Sequence, residues 1–341
     1  MTTQKTRVAV IGVGHMGRHH ARLYAELPQA ELVAVVDTHR EKAAQYAAEY
    51  HARALSTIDE LPDDVQAVTV AVPTIYHRRL TETLLQRGIA VLCEKPIAPS
   101  VEDAEAMLAC SRRTGALLTV GHTERFNPVV RALSRLDIRP KYIETTRISP
   151  FRFRSADIGV VADMMIHDID IVLHLVKSPP VRVDAVGVNV LAKHEDVANA
   201  RVVFKNGAVA NMAASRLALK TDRRLRVFSE TAYLSVDFQR KTGVAITRDA
   251  NLDILSLAKD KDIDDLSQMA NIDFGELVKV EPLIVDDVEP LRAEIEAFLD
   301  SVATGKPPIV TAEDGVAAVK LANDIVSALH AHQWEGEAGA S

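Results

Sequence analysis

A chain of 341 residues exceeds the size at which one hydrophobic core usually stops growing, so two domains are expected. Hydrophobic residues at 48% and charged residues at 26% give the composition of a globular protein, and a net charge of −7 argues against nucleic acid or an anionic membrane surface as a partner. No apolar signal core opens the chain, no apolar run reaches the roughly 18 residues of a membrane span, and Cys93 and Cys110 lack disulfide or metal spacing, which together read as a cytoplasmic protein.

Residues 7–12 read as a buried strand that runs into Gly12-Val13-Gly14-His15-Met16-Gly17, and a helical pattern covers 15–27. A second strand, 31–36, ends at Asp37, 20 residues past Gly17. A Gly-x-Gly-x-x-Gly run is weak evidence by itself. Between a strand and a helix, with an acid closing the next strand, it is the fingerprint of dinucleotide binding. The glycines let backbone amides approach a pyrophosphate at the helix N-terminus. Asp37 can accept hydrogen bonds from the adenosine ribose and repels a 2′-phosphate, which favours NAD over NADP; Arg40 is the one nearby cation that weighs the other way.

Strands and helices continue to alternate: a strand over 65–72 ending at Pro73-Thr74, a helix over 77–87 opening at His77, and a strand over 89–93 leading to Glu94-Lys95-Pro96. A helix over 100–113 with Ser100 as its N-cap follows, then a strand over 116–120 that delivers Gly121-His122. This order implies a doubly wound parallel sheet, whose ligands lie beyond the carboxyl ends of its strands. The cofactor contacts expected there are Gly12, Gly14, His15, Met16, Gly17 and Asp37 from the first two strand ends. Pro73, Thr74, His77, Glu94 and Lys95 join them from the next two. A lysine at the mouth of a buried strand is either an exposed strand end or a proton-transfer amine, and its position on this edge favours the second.

Past Pro128 the pattern changes. After a helix to about 136 come alternating strands at 142–148, 181–190, 198–204, 208–215, 224–229, 232–237 and 243–247, with hairpin turns such as Lys205-Asn206-Gly207. This predicts a second domain built on an open antiparallel sheet, with helices over 290–303 and 312–332 closing the chain. The expected boundaries are 1–125 for the cofactor domain, 126–334 for the substrate domain, whose last helices can pack back on the first, and a disordered tail at 335–341. Residues 250–289 are acidic and carry no functional reading.

One helix in this half, 160–176, is nearly all apolar except for Asp163, His167, Asp170 and His174, spaced four, three and four apart. They form one polar stripe on a buried helix. An Asp–His pair in such a stripe suits acid–base work; a satisfied core stripe is the alternative. Metal ligation lacks third and fourth ligands, and no metal is expected.

The Gly12-x-Gly14-x-x-Gly17 fingerprint, Glu94-Lys95-Pro96 and Asp163-x-x-x-His167 together resemble the glucose–fructose oxidoreductase/inositol dehydrogenase (Gfo/Idh/MocA) family over essentially the whole chain. The resemblance implies that Lys95 and His167 are catalytic with Asp163 in support. It also implies that the second domain's sheet carries the substrate pocket and an oligomer interface, here a homodimer or homotetramer. The segments 121–128 and 163–170 are most similar to members that oxidise the 3-hydroxyl of UDP-N-acetylglucosamine. An inositol, free-sugar or polyol dehydrogenase and a non-enzymatic NAD(P)-binding regulator are the alternatives. For a nucleotide-sugar diphosphate, His122, Arg125, Arg152, Arg154 and His167 are the expected substrate contacts, with Pro150-Phe151-Arg152-Phe153-Arg154 as the basic, aromatic segment that would hold it.

Overall fold

The computed structural model describes residues 5–151, 158–248 and 278–332. Arg152 and Arg154, and the tail expected to be disordered, lie outside the described residues. The chain forms two compact units: Met1–Asn127, Val161–His174 and Val288–Ser341 make the first, and Pro128–Val160 with Leu175–Asp287 the second. Residues 161–174 of the polar-striped helix and the closing helices fall in the first unit.

The first unit is a six-stranded parallel sheet in the order β3-β2-β1-β4-β5-β6. Its strands are β1 (Thr6–Ile11), β2 (Ala30–Val36), β3 (Arg53–Leu55), β4 (Ala67–Val70), β5 (Ala90–Glu94) and β6 (Leu118–Gly121). Crossover helices link them: α1 (Gly17–Glu26), α2 (Arg40–Glu49), α3 (His77–Gln86) and α4 (Val101–Thr114). Both sheet faces are covered, which is why the strands read as unbroken apolar runs. Val8, Val10 and Leu92 pack on one face with Leu23, Tyr24, Ile295 and Phe298. Ala9, Ile11, Val91 and Cys93 pack on the other with Leu84, Met107 and Val319. Ser100 caps α4 by accepting from the Asp103 amide at 3.1 Å, as the sequence predicts, and Gly115, at φ +71°, ends it. Strand order reverses between β1 and β4, so the ligand crevice of this topology opens beside Gly12.

The second unit holds α5 (Pro128–Ser134) and an eight-stranded sheet: β7 (Tyr142–Ile148), β8 (Pro180–Val188), β9 (Val197–Phe204), β10 (Val209–Ser215), β11 (Asp222–Phe228), β12 (Ala232–Asp237), β13 (Thr242–Arg248) and β14 (Val278–Pro282). Burial alternates along β7, β9 and β10, so one face is packed and the other is not. The sheet is not wholly antiparallel: β7 and β10 pair in parallel at its centre. β14 lies in the acidic stretch 250–289 and adds to the edge of the sheet beside β13.

The remaining elements are a π-helical turn (Val161–Met165), α6 (Ile166–Val176), α7 (Pro290–Thr304) and α8 (Ala312–Ala331). Among the described residues no helix is long and apolar enough to cross a membrane.

Candidate active site

The glycine loop comes first in the chain and sets the edge on which the other groups collect. Gly12 has φ +84°, and a Cβ there would lie 2.7 Å from the Ala71 carbonyl oxygen. A Cβ on Gly17 would lie 1.7 Å from the Gly12 carbonyl oxygen, so the start of α1 packs directly on the turn. A Cβ on Gly14 would meet nothing within 4 Å, which leaves the outer surface of the loop open. The first turn of α1 has no side-chain cap and no acidic residue. Nothing negative therefore opposes an anion at this helix N-terminus, although the Arg18 and His19 amides already meet the Gly14 and Met16 carbonyls, and a pyrophosphate fits at the start of the helix. His15 is exposed, Met16 half-buried, and Arg18 reaches the His15 ring at 3.5 Å.

Asp37 closes β2 and faces the loop. One of its oxygens accepts from the Val13 amide at 3.0 Å and the other from the His39 amide at 2.8 Å. The oxygen bound to His39 also lies 3.3 Å from the exposed His39 ring, whereas the one bound to Val13 keeps a second lone pair, so Asp37 retains room for a ribose hydroxyl. Arg40 is exposed.

At the next strand ends Pro73 is exposed and Thr74 half-buried. His77, expected among the cofactor contacts, is turned into the protein. It is 1% exposed, and both ring nitrogens are engaged by the main-chain carbonyls of Val72, Pro96 and Ile97.

β5 delivers Glu94 and Lys95. Glu94 is buried, and His20 of α1, fully buried, contacts one of its oxygens through Nε2 at 2.9 Å. The other oxygen accepts from the Lys95 amide at 3.2 Å. Burial alone would raise this carboxyl, but His20 and Lys95 together hold it below its ordinary range. Gly121, its neighbour on β6, is a glycine for a reason: a Cβ would press on the Glu94 carboxylate at 3.3 Å. From α7, the buried Glu294 completes the group, with side-chain atoms of His20, Glu94 and Glu294 within 4.8 Å of one another. Burial and the charge of Glu94 push the Glu294 carboxyl well above its ordinary value, against a smaller opposing pull from the Thr123 side chain. Protonated, it takes one negative charge out of a cluster that would otherwise hold two.

The Lys95 side chain turns outward from this base. Its Nζ donates to the Asp163 main-chain carbonyl at 2.7 Å and lies 3.5 Å from the Asp163 carboxylate. The two side chains are 19% and 30% exposed, enough to meet a ligand. Asp163 sits in the π-helical turn, and half-buried His167 is the second residue of α6. The structure thus brings Lys95 and Asp163 together, the acid meeting the lysine through both its carbonyl and its carboxylate.

The far end of the stripe does other work. Arg125, expected to meet a substrate diphosphate, is 4% exposed and forks onto Asp170 at 2.9 and 2.5 Å, with its remaining nitrogen 2.7 Å from His174 Nδ1. Each of its three nitrogens is engaged inside the first unit, where it clamps α6. His122 is 1% exposed, and its ring nitrogens have no hydrogen-bond partner among the described residues. Burial, reinforced by the charges of Arg125 and Lys95, lowers its pKa despite Asp170, which leaves a neutral imidazole behind the lysine. In the second unit, the described part of the basic, aromatic segment has Phe151 against the Arg216 guanidinium at 5.4 Å, and Arg216 is bound to the buried Asp196 at 2.7 Å.

Sequence reasoning missed His20 and Glu294. A signal for Glu294 exists: it lies on the apolar face of α7, among the buried Leu291, Ile295 and Phe298.

Comparison with known proteins places the chain in a family. A model of an oxidoreductase family with an NAD-binding Rossmann fold, GFO/IDH/MocA, matches residues 6–122, and that family's C-terminal domain matches 138–235. The chain is 37% identical over 312 residues to the UDP-N-acetylglucosamine 3-dehydrogenase of Acidithiobacillus ferrooxidans, covering 91% of this chain and 92% of that one. A solved structure of that enzyme superposes with a TM-score of 0.84 at 35% identity, covering 95% and 97% of the two chains. An inositol 2-dehydrogenase of Rhizobium meliloti is 28% identical over 94% of this chain and 96% of its own. The chain belongs to the Gfo/Idh/MocA family of oxidoreductases with an NAD-binding Rossmann fold.

Proposed function

We propose that the chain is an NAD-dependent dehydrogenase that oxidises the 3-hydroxyl of UDP-N-acetylglucosamine to a ketone. The observation that carries the chemistry is the contact of Lys95 with Asp163, at the carboxyl edge of the sheet and one turn from His167. The choice of sugar rests on the 37% identity to the Acidithiobacillus enzyme.

Gly12, Gly14, Gly17 and the first turn of α1 would hold the pyrophosphate, and Asp37 the adenosine ribose. The acid favours NAD over a phosphorylated ribose. A bound nicotinamide supplies the acceptor for the carbinol hydrogen and its electron pair. The chain's own residues handle the proton: Lys95 or His167 takes it from the hydroxyl, and the other group polarises the oxygen. Asp163 fixes the Lys95 amine, and Glu94, held by His20, fixes the lysine's main chain.

The similarity to inositol 2-dehydrogenase favours a second reading, oxidation of a cyclic polyol. The test is to offer the purified chain NAD⁺ or NADP⁺ with UDP-N-acetylglucosamine, other UDP-sugars, free glucose and myo-inositol while following the absorbance of reduced nicotinamide. Reduction with NAD⁺ and UDP-N-acetylglucosamine is expected. Turnover of inositol alone moves the assignment to a polyol, and no turnover with any of them favours a regulator that binds NAD(P).

A further inference from the structure

His77 opens α3 in a dry setting, 1% exposed, on the β4 side of the lysine loop. Three oxygens point at its ring. Nε2 lies 2.9 Å from the Val72 carbonyl, and Nδ1 lies 3.0 Å from the Pro96 carbonyl and 3.2 Å from that of Ile97. A carbonyl oxygen can only accept a hydrogen bond. Either neutral tautomer would therefore aim a bare nitrogen lone pair at a carbonyl lone pair about 3 Å away, in a place where water cannot intervene. Both contacts are satisfied together only when both ring nitrogens carry a proton.

We infer that His77 is a permanent imidazolium that fastens the peptide following Lys95 to the strand end at Val72, and so serves as a positioning residue for the lysine. This half of the inference rests on the proposed role of Lys95. The lysine is then held from two sides. Its own amide is fixed by the Glu94 carboxylate, and the carbonyl of the next residue, Pro96, is fixed by the imidazolium. The surrounding charges permit it. Cys93 of β5 is the titratable group facing the ring, while Arg78 on the same helix is occupied by Glu82 and by Asp103 of α4. Burial alone would lower the pKa of His77, and the carbonyls of Val72 and Ile97 raise it; the buried Cys93 thiol, which donates to the Ile97 carbonyl, is neutral. The imidazolium joins two carboxyl strand ends that the parallel sheet places side by side.

The test is a histidine ring ¹⁵N–¹H correlation spectrum of the labelled full chain, with the His77 signals assigned by their loss in His77→Gln. Two protonated ring nitrogens between pH 6 and 8, unchanged by NAD⁺, are expected. One unprotonated ring nitrogen at pH 7 overturns the charge assignment. Turnover tests the positioning: in His77→Gln, which reaches only one of the two loops, kcat falls about 100-fold while KM for NAD⁺ stays within twofold. A folded His77→Gln chain with unchanged kcat overturns it. The spectrum is taken on the wild-type chain, so the charge is decided even where the variant does not fold. Unchanged turnover in Lys95→Ala would remove the catalytic reading of the lysine and leave the imidazolium assignment standing.

Discussion

The Lys95 ammonium donates to the main-chain carbonyl of Asp163 at 2.7 Å and stands 3.5 Å from the carboxylate of the same residue. One partner is indifferent to the side chain at 163, and the other is not. Lys95→Ala should lower turnover by about 10²–10⁴-fold with NAD⁺ binding nearly intact, the loss expected for the proton-transfer role proposed for this residue. Asp163→Asn keeps the carbonyl contact and should cost less, about 10-fold, a fraction of what a positioned acid–base group contributes. Steady-state kinetics with cofactor titration separates the two, and equal losses would mean that the carboxylate, not the carbonyl, holds the amine.

The Arg125–Asp170 pair is buried, both side chains being at most 3% exposed. Removing one partner strands the other charge, so Arg125→Ala should destabilise the chain by about 3–5 kcal/mol. Arg125→Met combined with Asp170→Leu should be less damaging than either change alone, because no unpaired charge remains. Denaturant melts of these four variants, Arg125→Ala, Arg125→Met, Asp170→Leu and the double change, check this. If Arg125→Ala keeps its stability and loses only affinity for a UDP-sugar, the arginine is a substrate residue after all.

Gly17 and Gly14 share one motif but face different constraints. Gly17→Ala sets a methyl 1.7 Å from the Gly12 carbonyl oxygen and should abolish NAD⁺ binding or the fold itself. Gly14→Ala meets no protein atom within 4 Å, so its stability without cofactor should change by less than about 0.5 kcal/mol while NAD⁺ affinity falls. Calorimetric titration beside thermal melts gives both numbers.

Glu294 makes a pH prediction with a definite sign. Its carboxyl is raised in the folded chain and ordinary in the unfolded one, so between the two pKa values the folded state binds more protons. Stability from this group is complete below the unfolded value, about 4.3, and drains away as pH rises toward the folded value. Glu294→Gln should therefore be more stable than wild type at pH 8, by a margin that shrinks at pH 5. A margin that does not vary with pH would refute a protonated Glu294.

Much of the first unit is legible in the sequence because its pairings are local: each βα step places the next strand beside the sheet, and the apolar runs mark burial on both faces. The strand-end groups, Gly12, Asp37 and Lys95, follow from that order alone. The second unit depends on distant partners. The parallel pairing of β7 with β10, and the edge strand Val278–Pro282, have no local signal that sets them apart from a simple run of hairpins. Arg125 misleads for a related reason. An arginine beside a predicted crevice looks like an anion receptor until Asp170, 45 residues away, is seen to occupy it. The stripe at 163–174 is visible as one face, but its division between the lysine and the arginine depends on where those two residues arrive. Glu294 is hidden because one carboxylate on an apolar helix face says nothing of the two groups it will meet.

Asp37 has one further consequence. Its carboxylate answers to the Val13 amide inside the glycine loop as well as to any ribose. A redesign that swaps the acid for a small neutral residue, to admit NADP, would also release the turn that receives the pyrophosphate. Under the proposed preference for NAD, cofactor selectivity and loop order pass through one side chain. Converting this protein's preference would need a replacement that still accepts from the Val13 amide, as the side-chain carbonyl introduced by Asp37→Asn can, before any cation is added for the extra phosphate.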